Sequence, residues 1–175
     1  MATLPIRLFG DPVLRQETAP VADLDANLAR LAEDMIETMY AAPGIGLAAN
    51  QVGVSRRMFV YDVGEGPHVV VNPRIAESDG EWSYFEGCLS IPDLAWDVVR
   101  PRRVRLLGVD LEGRELDLEA EDLLARCFQH EIDHLDGVLL VSRLDTERRK
   151  EAMRVLRTRA FESSALVAPA ARSGL

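Results

Sequence analysis

At 175 residues the chain is long enough for one domain with a sizeable core, and its 47% hydrophobic and 28% charged residues fall in the globular range. A net charge of −9 argues against a general nucleic-acid binder, because sequence-independent phosphate binding needs a positive surface. Two cysteines make no disulfide framework, and no apolar run approaches the roughly 20 residues that span a bilayer, so a cytoplasmic protein without a signal peptide or membrane anchor is expected.

Leu24, Leu28, Leu31, Met35, Ile36 and Met39 recur at helical spacing and predict a first helix from Leu24 to Ala41. Asp23 or Asp25 would cap its start, and Pro43-Gly44 would end it. GIGLAANQVG, from Gly44 to Gly53, reads as a loop of small and apolar residues. Strands are predicted at Met58–Val63, Val69–Ile75 and Glu81–Phe85, and a hairpin at Val104–Leu111 and Glu115–Leu118 around Glu112-Gly113.

A second helix is predicted from Ala120 to Leu135, stopped by Gly137, then a short strand at Val138–Val141 and a third helix over Asp145–Phe161. Strands in the middle with helices at both ends give an α+β fold, its antiparallel sheets packed around the second helix. One domain over residues 1–162 and a flexible tail over 163–175 are expected.

The second helix carries the chemistry. Leu124, Phe128, Ile132 and Leu135 share one face, Asp122, Gln129, Asp133 and Asp136 a polar one, and Leu123, Cys127, His130 and His134 a third. His130-Glu131-Ile132-Asp133-His134 fits H-E-x-x-H, in which two imidazoles one helical turn apart chelate an ion and the glutamate acts as general base.

A catalytic site needs a third ligand. Leu140 stands where an H-E-x-x-H-x-x-G-x-x-H pattern would need histidine, which removes that class. A thermolysin-like arrangement would take a later glutamate such as Glu162, and His68 opens an apolar strand without a supporting motif. Cys88, in Glu86-Gly87-Cys88-Leu89-Ser90, is the better candidate, because a thiolate is a strong ligand for borderline metals and Gly87 would permit a close backbone approach. Cys127 reads as a buried small hydrophobe on a pocket wall.

GIGLAANQ, EGCLS and QHEIDHLDG together resemble the three signature motifs of the peptide deformylase family, in the family's order and with similar spacing, and the likeness runs from about Leu4 to Leu144. The resemblance implies that Cys88, His130 and His134 hold one divalent metal ion, with Fe(II) favoured over Zn(II), Ni(II) or Co(II). It implies Glu131 as general base and acid, and Gln51 with the backbone N–H of Leu89 as oxyanion donors. The activity implied is hydrolysis of the formyl group from the N-terminal methionine of new polypeptides, with N-formylmethionyl peptides as substrate.

Carried across residue by residue, the family's substrate positions fall on Gly44, Ile45 and Gly46 for the peptide backbone. Those of the methionine pocket fall on Ile45, Tyr84, Glu86, Leu123, Arg126 and Cys127. Arg100 would pair with Glu86 or Asp133 in support of the site. The family often has an arginine or tyrosine just after EGCLSIP, where this chain has Leu94-Ala95-Trp96; Trp82 and Trp96 read as packing or rim residues.

The basic run Arg143, Arg148, Arg149, Lys150, Arg154, Arg157 and Arg159 is either a solvated helix face, with Glu147 and Glu151 pairing nearby arginines, or a ribosome-docking surface over helix 145–161. No specific nucleic-acid sequence is expected as partner. A non-catalytic module with a structural metal is the remaining alternative, and it lacks a well-placed fourth ligand.

Overall fold

A computed structural model gives the structure of residues 2–167. Five strands form one antiparallel sheet in the order β1 (Gly46–Ala48), β2 (Met58–Tyr61), β3 (His68–Asp79), β6 (Arg103–Val109), β7 (Glu115–Glu121). β4 (Trp82–Cys88) and β5 (Ile91–Arg100) form a separate antiparallel hairpin. Three helices, α1 (Ala26–Ala41), α2 (Asp122–Leu135) and α3 (Thr146–Val167), complete the α+β arrangement.

β2 explains the layering. Its residues Met-Phe-Val-Tyr are buried on both faces, so alternation sends Phe59 and Tyr61 one way and Met58 and Val60 the other. Phe59 and Tyr61 meet Phe128 of α2 at ring separations of 6.0 and 5.0 Å. Met58 and Val60 pack with Leu28, Met35 and Met39 of α1. Asp25 caps α1 by accepting the Leu28 N–H at 2.8 Å. A third cluster joins Ile91 and Val98 of β5 to Leu140, Val141, Ala152 and Leu156, which seats α3 on the hairpin.

Several elements differ from expectation. The stretch Gly46–Ala48 is an edge strand rather than loop, held by pairing with Phe59–Tyr61. β5 has no counterpart among the predicted strands, because Pro92, Asp93 and Asp97 interrupt its pattern; it is stabilised by pairing with β4 over Ala95–Arg100 and again at Ile91, with a register shift between. β7 runs on to Glu121, so α2 begins at Asp122 rather than Ala120.

Val138–Val141 forms no strand: Leu140–Arg143 is a short 3-10 helix whose apolar side chains fill the third cluster. α3 runs past Phe161 to Val167, and residues 168–175 of the expected tail lie outside the described residues. From Ala125 to Leu135 α2 is buried except at Gln129, so Asp133 on its polar face is buried too. That burial matters for the site.

Candidate metal centre and active site

α2 passes beneath the β4–β5 hairpin, and Cys88 closes β4 just before the Leu89-Ser90 turn. Its Sγ lies 3.2 Å from His134 Nε2, and ligand atoms of Cys88, His130 and His134 all fall within 4.8 Å of one another. Metal–ligand bonds of about 2.0–2.3 Å put tetrahedral ligand atoms roughly 3.5 Å apart, so this trio could hold an ion with small adjustments. The imidazoles stand 4.9 Å apart and nearly perpendicular, as i and i+4 side chains on one helix face do.

The two cysteines are separated by their electrostatics. Burial alone raises the Cys88 thiol, but the neighbouring His134 and His130 imidazoles bring it well below the ordinary thiol range. Burial pushes Cys127 well above that range, and the charges of Glu131 and Glu86 push it further. The surroundings thus favour the thiolate at Cys88 and the thiol at Cys127, whose Sγ lies against Ile45 O at 3.6 Å.

Glu131 is fully inside, and burial pushes its carboxyl up to about 7 against the opposing pull of His130 and His134. Its Oε2 is buried and without a hydrogen-bond partner among the described residues. Gln51, in the 3-10 turn Ala49–Val52, accepts the Ala48 N–H on Oε1 at 2.9 Å. That bond leaves Nε2 to point the other way, 3.2 Å from Ser90 Oγ and 3.8 Å from Cys88 Sγ. The glutamine therefore bonds its own loop and presents its amide to the metal centre at once.

The close backbone approach is not at Gly87, where an added Cβ would meet nothing nearer than 3.7 Å. It is at Gly46 and Gly44. A Cβ on Gly46 would stand 2.3 Å from Glu131 Oε1, and one on Gly44 2.7 Å from Leu89 Cδ1. These two glycines let the GIGLAANQ segment lie directly against α2 and the β4–β5 turn.

A cavity of about 750 Å³ opens beside the trio, lined by Gly44, Ile45, Gly46, Gln51, Tyr84, Glu86, Leu89, Leu123, Arg126, Cys127 and Glu131. Ile45, Tyr84 and Leu123 are substantially exposed and form its mouth, whereas Glu86, Arg126 and Cys127 are buried in its wall. Trp82 stacks on Tyr84, and the Arg126 guanidinium lies 5.0 Å from the Trp82 ring centre. Trp96 is half-buried in the third cluster, and His68 stacks on Tyr61 and belongs neither to the trio nor to the cavity lining.

Behind the wall lies a network that the sequence only hinted at. Arg100 pairs with both suggested partners, Glu86 at 2.7 and 2.8 Å and Asp133 at 2.8 Å. Arg126 Nη1 reaches Glu86 Oε2 at 2.6 Å, and His130 Nδ1 reaches Glu86 Oε1 at 2.6 Å. Burial opposes the charge on Glu86, but Arg100 and His130 hold it well below the usual carboxylate range. A carboxylate so surrounded can only accept, so His130 donates from Nδ1 and keeps Nε2 free for a metal.

Arg100→Ala should leave two buried carboxylates short of a cation, costing about 3–5 kcal/mol of stability and lowering metal retention. Chemical denaturation with metal analysis would read both. Unchanged metal content and stability would remove Arg100 from the site.

Comparison with known proteins follows the same residues. The family model described as polypeptide deformylase matches residues 3–150. The peptide deformylase of Acidothermus cellulolyticus is 54% identical over 157 residues, spanning 90% of this chain and 87% of that protein. The crystal structure of peptide deformylase from Thermus thermophilus superposes with a TM-score of 0.85 at 47% identity, over 89% of this chain and 94% of that one. The Ehrlichia chaffeensis peptide deformylase, crystallised in complex with actinonin, gives a TM-score of 0.86 at 36% identity, over 91% and 98% of the two chains. These matches lend no support to a thermolysin-like peptidase or a structural-metal module.

Proposed function

The chain belongs to the polypeptide deformylase family, and from that premise we propose how its residues carry out the family's hydrolysis of the formyl group on N-terminal methionine. Cys88, His130 and His134 hold one divalent metal ion, Fe(II) in the cell. When bound, that ion supplies Lewis acidity and lowers the pKa of water towards neutrality. The observation that carries the reading is the convergence of a thiolate and two imidazoles beside the buried Glu131 carboxyl.

Glu131 accepts a proton from the water that attacks the formyl carbon and returns one to the departing amine, which suits a carboxyl titrating near neutrality. Gln51 Nε2 and the Leu89 N–H donate to the developing oxyanion; one such donor is worth roughly 3–4 kcal/mol. The peptide lies extended along Gly44, Ile45 and Gly46, and the methionine side chain enters the cavity past Ile45, Tyr84 and Leu123 towards Glu86, Arg126 and Cys127. Residues 1–162 act as a single catalytic domain. Release of formate from an N-formylmethionyl peptide is the test: activity that follows added metal is expected, and a metal-loaded chain that releases none would defeat the reading.

Gly46→Ala is expected to retain metal yet lose about 100-fold in kcat, because its methyl group displaces the Glu131 carboxylate by the order of an ångström. Steady-state rates beside metal content distinguish this from loss of the ion.

The enzyme works in the cytoplasm on emerging chains, and α3 is the surface that docks on ribosomal RNA. Arg149, Lys150, Arg154 and Arg157 are exposed along one groove, whereas Arg148 and Lys150 also pair with Asp145 and Glu147. Among the described residues no helix is long and apolar enough to cross a membrane. Removing α3 would strip the buried Ala152 and Leu156 from the third cluster, so charge reversal is the cleaner test. R149E/R154E/R157E should abolish salt-sensitive co-sedimentation with ribosomes while formate release from short peptides persists; equal sedimentation would refute docking.

A further inference from the structure

The buried ion network does not stop inside the protein. Arg143, at the end of the 3-10 helix Leu140–Arg143 and just ahead of α3, grips Asp133 with Nη2 on Oδ1 and with Nε on Oδ2 at 3.0 Å. Asp133 Oδ2 also accepts from Arg100 Nη1 at 2.8 Å, and Arg100 holds Glu86, whose Oε1 accepts from His130 Nδ1. Arg143 has a side chain 47% exposed, whereas Asp133, Arg100 and Glu86 are buried. The file thus runs from solvent at the root of α3 to an imidazole of the metal centre.

We propose that Arg143 is a positioning residue for His130, coupling the root of α3 to the metal centre through Asp133, Arg100 and Glu86. This rests on the reading that His130 binds the metal. The guanidinium of Arg100 is shared between two carboxylates, so its place depends on how far each is satisfied by others. With Arg143 present, Asp133 has a second cation and Arg100 lies square on Glu86 with two bonds. Without it, Asp133 is a buried anion with one cation, and the low-dielectric interior draws Arg100 towards it.

The bond that gives way is one of those on Glu86, and Oε1 is shared with His130. Arg126 still holds Oε2, so Glu86 tilts without leaving. The imidazole then loses part of its orientation. The effect is graded for that reason, at the low end of what outer-shell partners of a metal ligand typically contribute.

The test uses the full chain with Arg143→Gln and Arg143→Lys. Zinc dissociation constants from chelator competition should rise about tenfold for Arg143→Gln and about threefold for Arg143→Lys, which keeps the charge but cannot span both oxygens. A purely structural role would instead lower the melting temperature of the metal-free chain and leave zinc affinity alone.

The His130 Nδ1–H resonance of the metal-free chain gives a second readout. It should be sharp and strongly downfield in the parent and exchange-broadened in Arg143→Gln. Parent-like zinc affinity together with a parent-like resonance in both variants overturns the coupling. If Arg143→Gln does not fold, Arg143→Lys decides alone, and affinity equal to the parent overturns it. A parent chain that binds no zinc and releases no formate sinks the proposed function instead, and the resonance still reports on the coupling.

Discussion

Cys88→Ala is expected to abolish metal binding and formate release together, while Cys127→Ala keeps both. The two thiols lie on the same cavity, so the contrast isolates what the surroundings do to each. Cys88 is pulled towards thiolate by His134 and His130 against the cost of burial, and its sulfur stands 3.2 Å from His134 Nε2. Cys127 is driven the other way by burial and by the charges of Glu131 and Glu86. Since outer-shell changes alone cost about 10–100-fold in affinity, loss of a ligand should exceed that and leave less than about a tenth of a metal ion per purified chain. Elemental analysis of both variants, purified anaerobically, measures it. Full metal content in Cys88→Ala would move the third ligand elsewhere.

Glu131→Gln separates chemistry from binding. Glutamine keeps the shape of the side chain but cannot take up and release a proton near neutrality, so the metal should stay while kcat falls by about 10²–10⁴, some 3–5 kcal/mol in the barrier. The cause is the burial that pushes this carboxyl up to about 7, letting it both take and give a proton at neutral pH. KM for a formyl-methionyl peptide should change little, because glutamine keeps the shape of the wall that Glu131 contributes to the cavity. A Glu131→Gln enzyme within tenfold of the parent in kcat would assign the proton transfers to another group.

The residue pattern alone carried the chemistry a long way. H-E-x-x-H works because helical periodicity is local: once Phe128, Ile132 and Leu135 mark a buried face, His130 and His134 must share another. The Glu112-Gly113 hairpin and a cap at Asp23 or Asp25 were legible for the same reason, each being a short-range preference of a few neighbouring residues, and the fold chose Asp25. β5 was not legible. Its stretch Ile91–Arg100 alternates poorly, and its strand character comes from pairing with Trp82–Cys88. The edge strand Gly46–Ala48 failed in the same way, since three residues, Gly-Leu-Ala, are too few to show a period.

Within the site, the residue pattern marked out His130 and His134 as a candidate metal-binding pair with Glu131 as the base between them and, through the likeness of three motifs, Cys88 as the sulfur, and the folded chain brings these side chains together. Tertiary structure alone decided that Asp133 is buried rather than solvated, that Arg126 serves Glu86 as well as lining the cavity, and that Gly46 rather than Gly87 is the point of close approach. The physical reason is range. Helix faces and caps follow from neighbours along the chain, whereas the field at a buried carboxylate and the clearance above a glycine are set by atoms brought from distant segments, and no local pattern encodes them.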